Sequence, residues 1–248
     1  MNFLNNIPQV TKNLLIINVL FYIATLVMMT KGVDLIQLLG AHYINSPFFE
    51  PYQIVTHFFM HSTGILHIFM NMFILVSLGS HLERIWGPKR FFIFYIASAV
   101  GAFTLYNGIG VFQIMELKHE IESLGYSISD LNYSLATDGM FQYDPADQEL
   151  LMDYSRKALT PMVGASGAVF GVLAAFAFLF PNTEFMMLFI PFPIKAKYFV
   201  VGYVALEVYL GLQNSASDNV AHFAHVGGAL VGFLIVLYWN KVKKDTFY

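Results

Sequence analysis

The chain has 248 residues, a formal net charge of −3, 57% hydrophobic side chains and only 12% charged ones, with a mean hydropathy of +0.60. A water-soluble globule carries about twice that share of charge, so the composition points to an integral membrane protein of one domain's length and gives no electrostatic reason to expect nucleic acid as a partner. Zero cysteines exclude disulfides, thiol chemistry and cysteine-bound metal.

Apolar runs predict six helices, at residues 13–30, 65–82, 91–112, 163–180, 196–212 and 220–239. Each approaches the ~20 residues that cross a hydrocarbon core about 30 Å thick. Helices are the natural form, because lipid leaves every backbone polar group to be satisfied within its own segment. The first run is read as a retained helix, since it lacks the flanks and small-residue cleavage site of a signal peptide. The apolar stretch FMMLFIPF, residues 185–192, is too short to cross, and Pro181, Pro191 and Pro193 interrupt it; it reads as a connection at the membrane interface.

The one long connection, residues 111–160, contains the helical stretches VFQIMELKHEIESL and ADQELLMDYSRKAL, and holds nine acids against three bases. With a cytoplasmic N-terminus, nine basic residues (Lys12, Arg84, Lys89, Arg90, Lys195, Lys197, Lys241, Lys243, Lys244) fall inside and four (Lys31, Lys118, Arg156, Lys157) outside, the orientation that the positive-inside rule favours. Both termini are then cytoplasmic, and the expected location is a bacterial inner membrane. The expected architecture is an all-α bundle of six transmembrane helices. It forms a single membrane domain over 1–248, with an acidic extracytoplasmic insertion, 111–160, between the third and fourth helices. The insertion's charge of −6 is expected to disfavour substrates with acidic outer segments.

In this topology the second, fourth and sixth helices run the same way, so their first turns share one layer. Those turns hold His67 and Asn71, Ser166 within GASG, and His222 and His225 within AHFAHVGG. Polar groups at such depth are costly and face a protein interior or a water-filled cavity. Each also has an ordinary reading alone: a serine between glycines packs helices closely, and a membrane histidine bonds a neighbouring helix. Together they supply a nucleophile (Ser166), a base (His225) and oxyanion donors (His67, Asn71 and the Ser166 backbone N–H), with Gly164 and Gly167 leaving room for a substrate backbone. Glu207 on the fifth helix lies close in depth to His225; it reads either as an acid orienting that imidazole or as a buried carboxyl bonded to a neighbouring helix. His57 and His61 form an HxxxH pair that would put two imidazoles on one helical face, a zinc-compatible spacing without an evident third ligand nearby.

With GASG at 164–167, AHVGG at 224–228, HFFMHSTGILHIFMN from His57 to Asn71 and EPYQIVTH at 50–57, the chain resembles the rhomboid intramembrane serine proteases over nearly its whole length. The resemblance implies a Ser166/His225 dyad, an oxyanion site of His67, Asn71 and the Ser166 amide, Phe170 as an aromatic ring against the histidine, and GxxxG packing through Gly228 and Gly232. It implies single-pass transmembrane protein substrates met in membrane lipid, with residues 213–219 and the fifth helix as a gate, and neither cofactor nor metal. Two departures stand out: Tyr52-Gln53 where many members have Trp-Arg, and the long acidic insertion. The alternatives are an inactive relative that binds membrane clients and a metal-handling protein using His57, His61 and His67.

Overall fold

A computed structural model describes residues 3–187, 190–213 and 221–242. The described residues are mainly helical. Among the described residues four helices are long and apolar enough to cross a membrane: Gln9–Met29, Ile65–Trp86, Pro88–Ser123 and His222–Lys241. Helix α1 (Gln9–Met29) is followed by a loop with two short helices, α2 (Leu35–Leu39) and α3 (Gln53–Thr56). Helix α4 (Ile65–Ile74) continues through a π-helical stretch, Leu75–Gly79, into α5 (Ser80–Trp86). The buried Glu83 carboxylate accepts hydrogen bonds from Val10 N, Thr11 N and Thr11 Oγ1 at 2.7–2.8 Å. It thereby satisfies donors that the first turn of α1 leaves unpaired.

Helix α6 (Pro88–Ser123) departs from expectation. Proline at its first position, after Gly87, starts it cleanly. It then runs 36 residues, about 54 Å at 1.5 Å per residue, where hydropathy alone ended a helix near 112 and began a separate segment at 111. A fall in hydropathy marks where a helix leaves an apolar layer, not where its hydrogen bonding stops. Gly110 does not break it: a Cβ there would stand 1.8 Å from the Tyr43 ring, so packing requires the glycine.

The far end of α6 joins α7 (Ile128–Thr137) and α8 (Gln148–Leu159) around a second core of Tyr43, Ile114, Ile121, Leu131, Leu151, Tyr154 and Ala158. The insertion is therefore a three-helix cap with its own interior. Helix α7 was not expected; its signal is Ser127, whose Oγ accepts from Asp130 N as an N-cap.

Helix α9 (Ser166–Leu179) is the axis of the bundle: every residue from Gly167 to Ala177 is buried, with α6 and α11 (His222–Val242) packed along it. Its 14 residues rise only ~21 Å, and it is apolar on all sides because protein surrounds it. Small residues set the spacing. A Cβ at Gly228 would lie 1.9 Å from Gly167 O, and one at Gly232 would lie 2.6 Å from Gly171 Cα, so α9 and α11 meet backbone to backbone. Between α9 and α10 (Ala196–Gln213), β1 (Glu184–Met187) and β2 (Ile190–Lys195) form an antiparallel pair. A two-stranded ribbon is all edge, which is where proline is tolerated in a strand.

Candidate active site

The chain reaches Ser166 along a path fixed on both sides. Ala41 and Met162 exchange backbone hydrogen bonds at 2.9 and 2.8 Å, and Gly164 N donates to His57 O at 3.0 Å. Gly164 then takes φ +129°, a region closed to most side chains, and turns the chain so that Ser166 becomes the first residue of α9. Its own N–H falls among the first four of a helix, which have no partner within it. The loop behind this path is held by Gln53, which stands where Trp-Arg was noted as missing. Buried, it accepts from His42 N at 3.2 Å and donates to Leu38 O and Phe48 O at 3.3 and 3.1 Å.

Close packing of α11 on α9 sets His225 opposite the serine, with Nε2 2.8 Å from Ser166 Oγ. The imidazole stacks on Phe170, one turn further along α9, at 4.3 Å between ring centres and 6° between planes. Tyr203 of α10 lies against the same phenyl ring at 4.7 Å. The other ring nitrogen, Nδ1, is 2.8 Å from Glu207 Oε2, and His222 Nδ1 is 2.6 Å from that same oxygen. Glu207 and His222 are buried.

His67 approaches from α4. Ser62 N–H donates to its Nδ1 at 3.3 Å, and Ser62 Oγ lies 2.8 Å from that atom. An Nδ1 that accepts leaves the proton of a neutral imidazole on Nε2. A Cβ added to Gly164 would stand 3.1 Å from His67 Nε2 and 3.3 Å from Ser166 Oγ. The missing side chain of Gly164 thus leaves a space bounded by a donor and a hydroxyl. Asn71, buried one turn along, donates from Nδ2 to His67 O at 2.9 Å, which leaves its second amide proton for another acceptor. Ser62 is the site residue that the sequence reading missed. Its signal is a hydroxyl a few residues before a histidine at the start of a helix.

Three expectations are corrected. Gly167 does not face the serine's open side: a Cβ there would collide with Ala102 Cβ of α6 at 2.3 Å, so this glycine serves helix packing. His57 and His61 do not share a helical face, because the short 3-10 turn His57–Phe59 ends in extended backbone at Met60. His57 Nδ1 is instead bonded to Gln53 O at 2.8 Å, and burial pushes both imidazoles down to about 4, so both are neutral near pH 7. Among the described residues they do not gather with His67 into a metal-sized cluster; Glu207, His222 and His225 do, with ligand atoms within 4.8 Å of one another. Their contacts of 2.6 and 2.8 Å to a shared oxygen are hydrogen-bond spacings. Ligands held about 2.0–2.2 Å from zinc in a tetrahedron stand roughly 3.3 Å apart. The expected gate, residues 213–219, lies outside the described residues from 214 onward.

Comparison with known proteins agrees with the motifs. A family model described as the rhomboid domain matches residues 49–128 and 141–241. The chain is 28% identical to RHOMBOID-like protein 12, mitochondrial, of Arabidopsis thaliana over 200 residues, 78% of this chain and 47% of that protein. It is 27% identical to Rhomboid protein 1, mitochondrial, of Saccharomyces cerevisiae over 176 residues, 71% of this chain and 38% of that one. It is 28% identical to Rhomboid protease AarA of Providencia stuartii over 186 residues, 71% and 51% respectively. The chain thus spans about half or less of the length of these relatives. Two of the three carry mitochondrial names, so they do not single out the bacterial inner membrane expected above; what holds is an integral membrane protein. With the family model covering most of its length and interrupted only over residues 129–140, the chain belongs to the rhomboid family.

Proposed function

We propose that the protein is an intramembrane serine endopeptidase, built as a bundle of six crossings with α9 and α10 as the fourth and fifth. Both termini lie on the cytoplasmic side and the cap outside, as the nine-to-four split of basic residues favours. The observation that carries the reading is the 2.8 Å contact of His225 Nε2 with Ser166 Oγ, beside a space that His67 Nε2 borders. In the reaction Ser166 Oγ attacks the carbonyl carbon of the peptide bond as His225 Nε2 takes the hydroxyl proton. The carbonyl oxygen, now negative, sits in the space at Gly164, where His67 Nε2–H, the Ser166 N–H and Asn71 Nδ2 donate to it. His225 passes its proton to the leaving amine, and water repeats the sequence to free the acyl chain. The substrates are single-pass transmembrane proteins, as the family resemblance implies.

Labelling by a fluorophosphonate, which needs an activated serine hydroxyl, tests this directly. Parent protein is expected to be labelled, and Ser166→Ala is not. A parent that folds but takes no label would favour the inactive client-binding relative. His67→Ala and Asn71→Ala are expected to lower turnover by about 10²- to 10³-fold each, as loss of one oxyanion donor does, while label still reaches Ser166. Loss as complete as that of Ser166→Ala, in folded protein, would assign these residues more than a donor's part.

A further inference from the structure

We propose that Glu207 is a positioning residue that turns the Ser166–His225 pair into a triad, and that His222 holds its carboxylate in place. The inference rests on the serine-protease reading above and adds a member to it. Glu207 Oε2 meets two imidazole nitrogens at once, His225 Nδ1 at 2.8 Å and His222 Nδ1 at 2.6 Å. An ionised carboxylate only accepts, so both nitrogens donate. A neutral His225 then carries its proton on Nδ1 and keeps a lone pair on Nε2, the atom that faces Ser166 Oγ at 2.8 Å. This is the tautomer a general base needs, and it is opposite to that of His67, whose Nδ1 accepts from Ser62 N.

Burial strengthens the case. Glu207 is 4% exposed and His222 8%, and a carboxylate in such surroundings persists only when paired. During acylation the serine proton moves to Nε2 while the Oγ–carbonyl bond forms, so His225 becomes positive beside the carboxylate. The proton then leaves from Nε2 to the amine as the peptide bond breaks. Glu207 gains and loses nothing; it fixes the ring's tautomer and faces its charge. Stacking on Phe170 at 6° sets the plane of the ring, and Glu207 sets which edge carries hydrogen. His222, from the first turn of α11, contributes a second charge-assisted bond that keeps Oε2 on this line.

The test compares the full-length parent with Glu207→Gln, Glu207→Asp, His222→Phe and Ser166→Ala on a single-pass transmembrane reporter, with kcat and KM measured separately. The ¹⁵N spectrum of labelled histidine reports which ring nitrogen of His225 bears the proton. Glutamine offers an N–H to Nδ1 and drives the proton to Nε2. Glu207→Gln is therefore expected to lower kcat by about 10⁴-fold with KM nearly unchanged, and its spectrum to show the Nε2–H form. Glu207→Asp should recover at least tenfold over glutamine, and His222→Phe should lose about 10- to 100-fold, the worth of one hydrogen bond to a charged group. A Glu207→Gln protein with parental kcat, or one that keeps the Nδ1–H form, would overturn the proposal. Should that variant not fold, a parental spectrum that shows the Nε2–H form of His225, or a His222→Phe variant with parental kcat and parental spectrum, overturns it equally. Ser166→Ala separates the two levels: if it still cleaves, the serine reading itself fails, whereas an inactive Ser166→Ala beside a fully active Glu207→Gln removes only the carboxylate's role.

Discussion

Ser166→Ala and His225→Ala are each expected to lower cleavage of a transmembrane reporter by about 10⁶-fold, the scale seen when one member of a serine-protease catalytic unit is removed. At 1.36 kcal/mol per tenfold this is roughly 8 kcal/mol of transition-state stabilisation. The two losses should not add, because Ser166 Oγ and His225 Nε2, 2.8 Å apart, act in one proton transfer. The double variant is expected to match either single one, with residual turnover from the donors around Gly164. Both side chains are only partly buried and both replacements suit a helix, so thermal stability should change little. Rate measurements on all three variants, alongside melting curves, check this. Parental activity in either single variant refutes the pairing, and a double loss near 10¹²-fold would mean that the two residues work independently.

Gly228→Val is expected to be nearly as damaging without touching a reacting atom. A Cβ at Gly228 would stand 1.9 Å from Gly167 O and 2.6 Å from Gly167 C. Both are backbone atoms that no rotamer change can move. Helices α9 and α11 must part by at least about 1.5 Å to reach an ordinary contact distance, and even a 1 Å misplacement costs of order 10² in rate. Gly167 adjoins Ser166, and Gly228 lies one turn after His225, so the separation falls on the 2.8 Å contact itself. Gly228→Ala should lose about 100-fold in kcat. Valine, with two further methyls, should abolish turnover and destabilise the fold by roughly 1–3 kcal/mol as overpacking does. Gly202→Ala is the control: nothing lies within 4 Å of a Cβ there, and alanine favours the helix. If Gly228→Val cleaves like Gly202→Ala, the two helices are not held as tightly as their backbones indicate.

Much of the bundle was legible because hydropathy reports the one property that lipid contact demands. Hence α1, α9 and α11 lie within a few residues of their predicted spans. The same measure is blind where water takes over, so it cut α6 at its exit from the apolar layer and missed α7, whose only mark was a serine cap. For the candidate site, residue types and a shared depth picked out Ser166, His225, His67 and Asn71. Depth says nothing about rotation about a helix axis. Gly167 was therefore assigned to the serine's side although it faces Ala102, and the HxxxH pair was placed on one face although its backbone opens at Met60. The tautomers were further out of reach, since they depend on a Ser62 N–H and a Glu207 oxygen brought in by other segments.

The unbroken run of α6 from the bundle into the cap has a consequence for how the molecule comes apart. One helix carries two cores: Phe91, Phe94, Tyr95 and Ala99 belong to the bundle, and Ile114 and Ile121 to the cap. Helical hydrogen bonds are local, each reaching only four residues back. Opening the cap can therefore unwind the far third of α6 and leave its nearer part in register. Amide hydrogen exchange should show two levels of protection within this single helix, slow before about residue 110 and faster beyond it, with the faster part matching α7 and α8. Heat or denaturant would then release the cap first, while the helices that carry Ser166 and His225 stay packed.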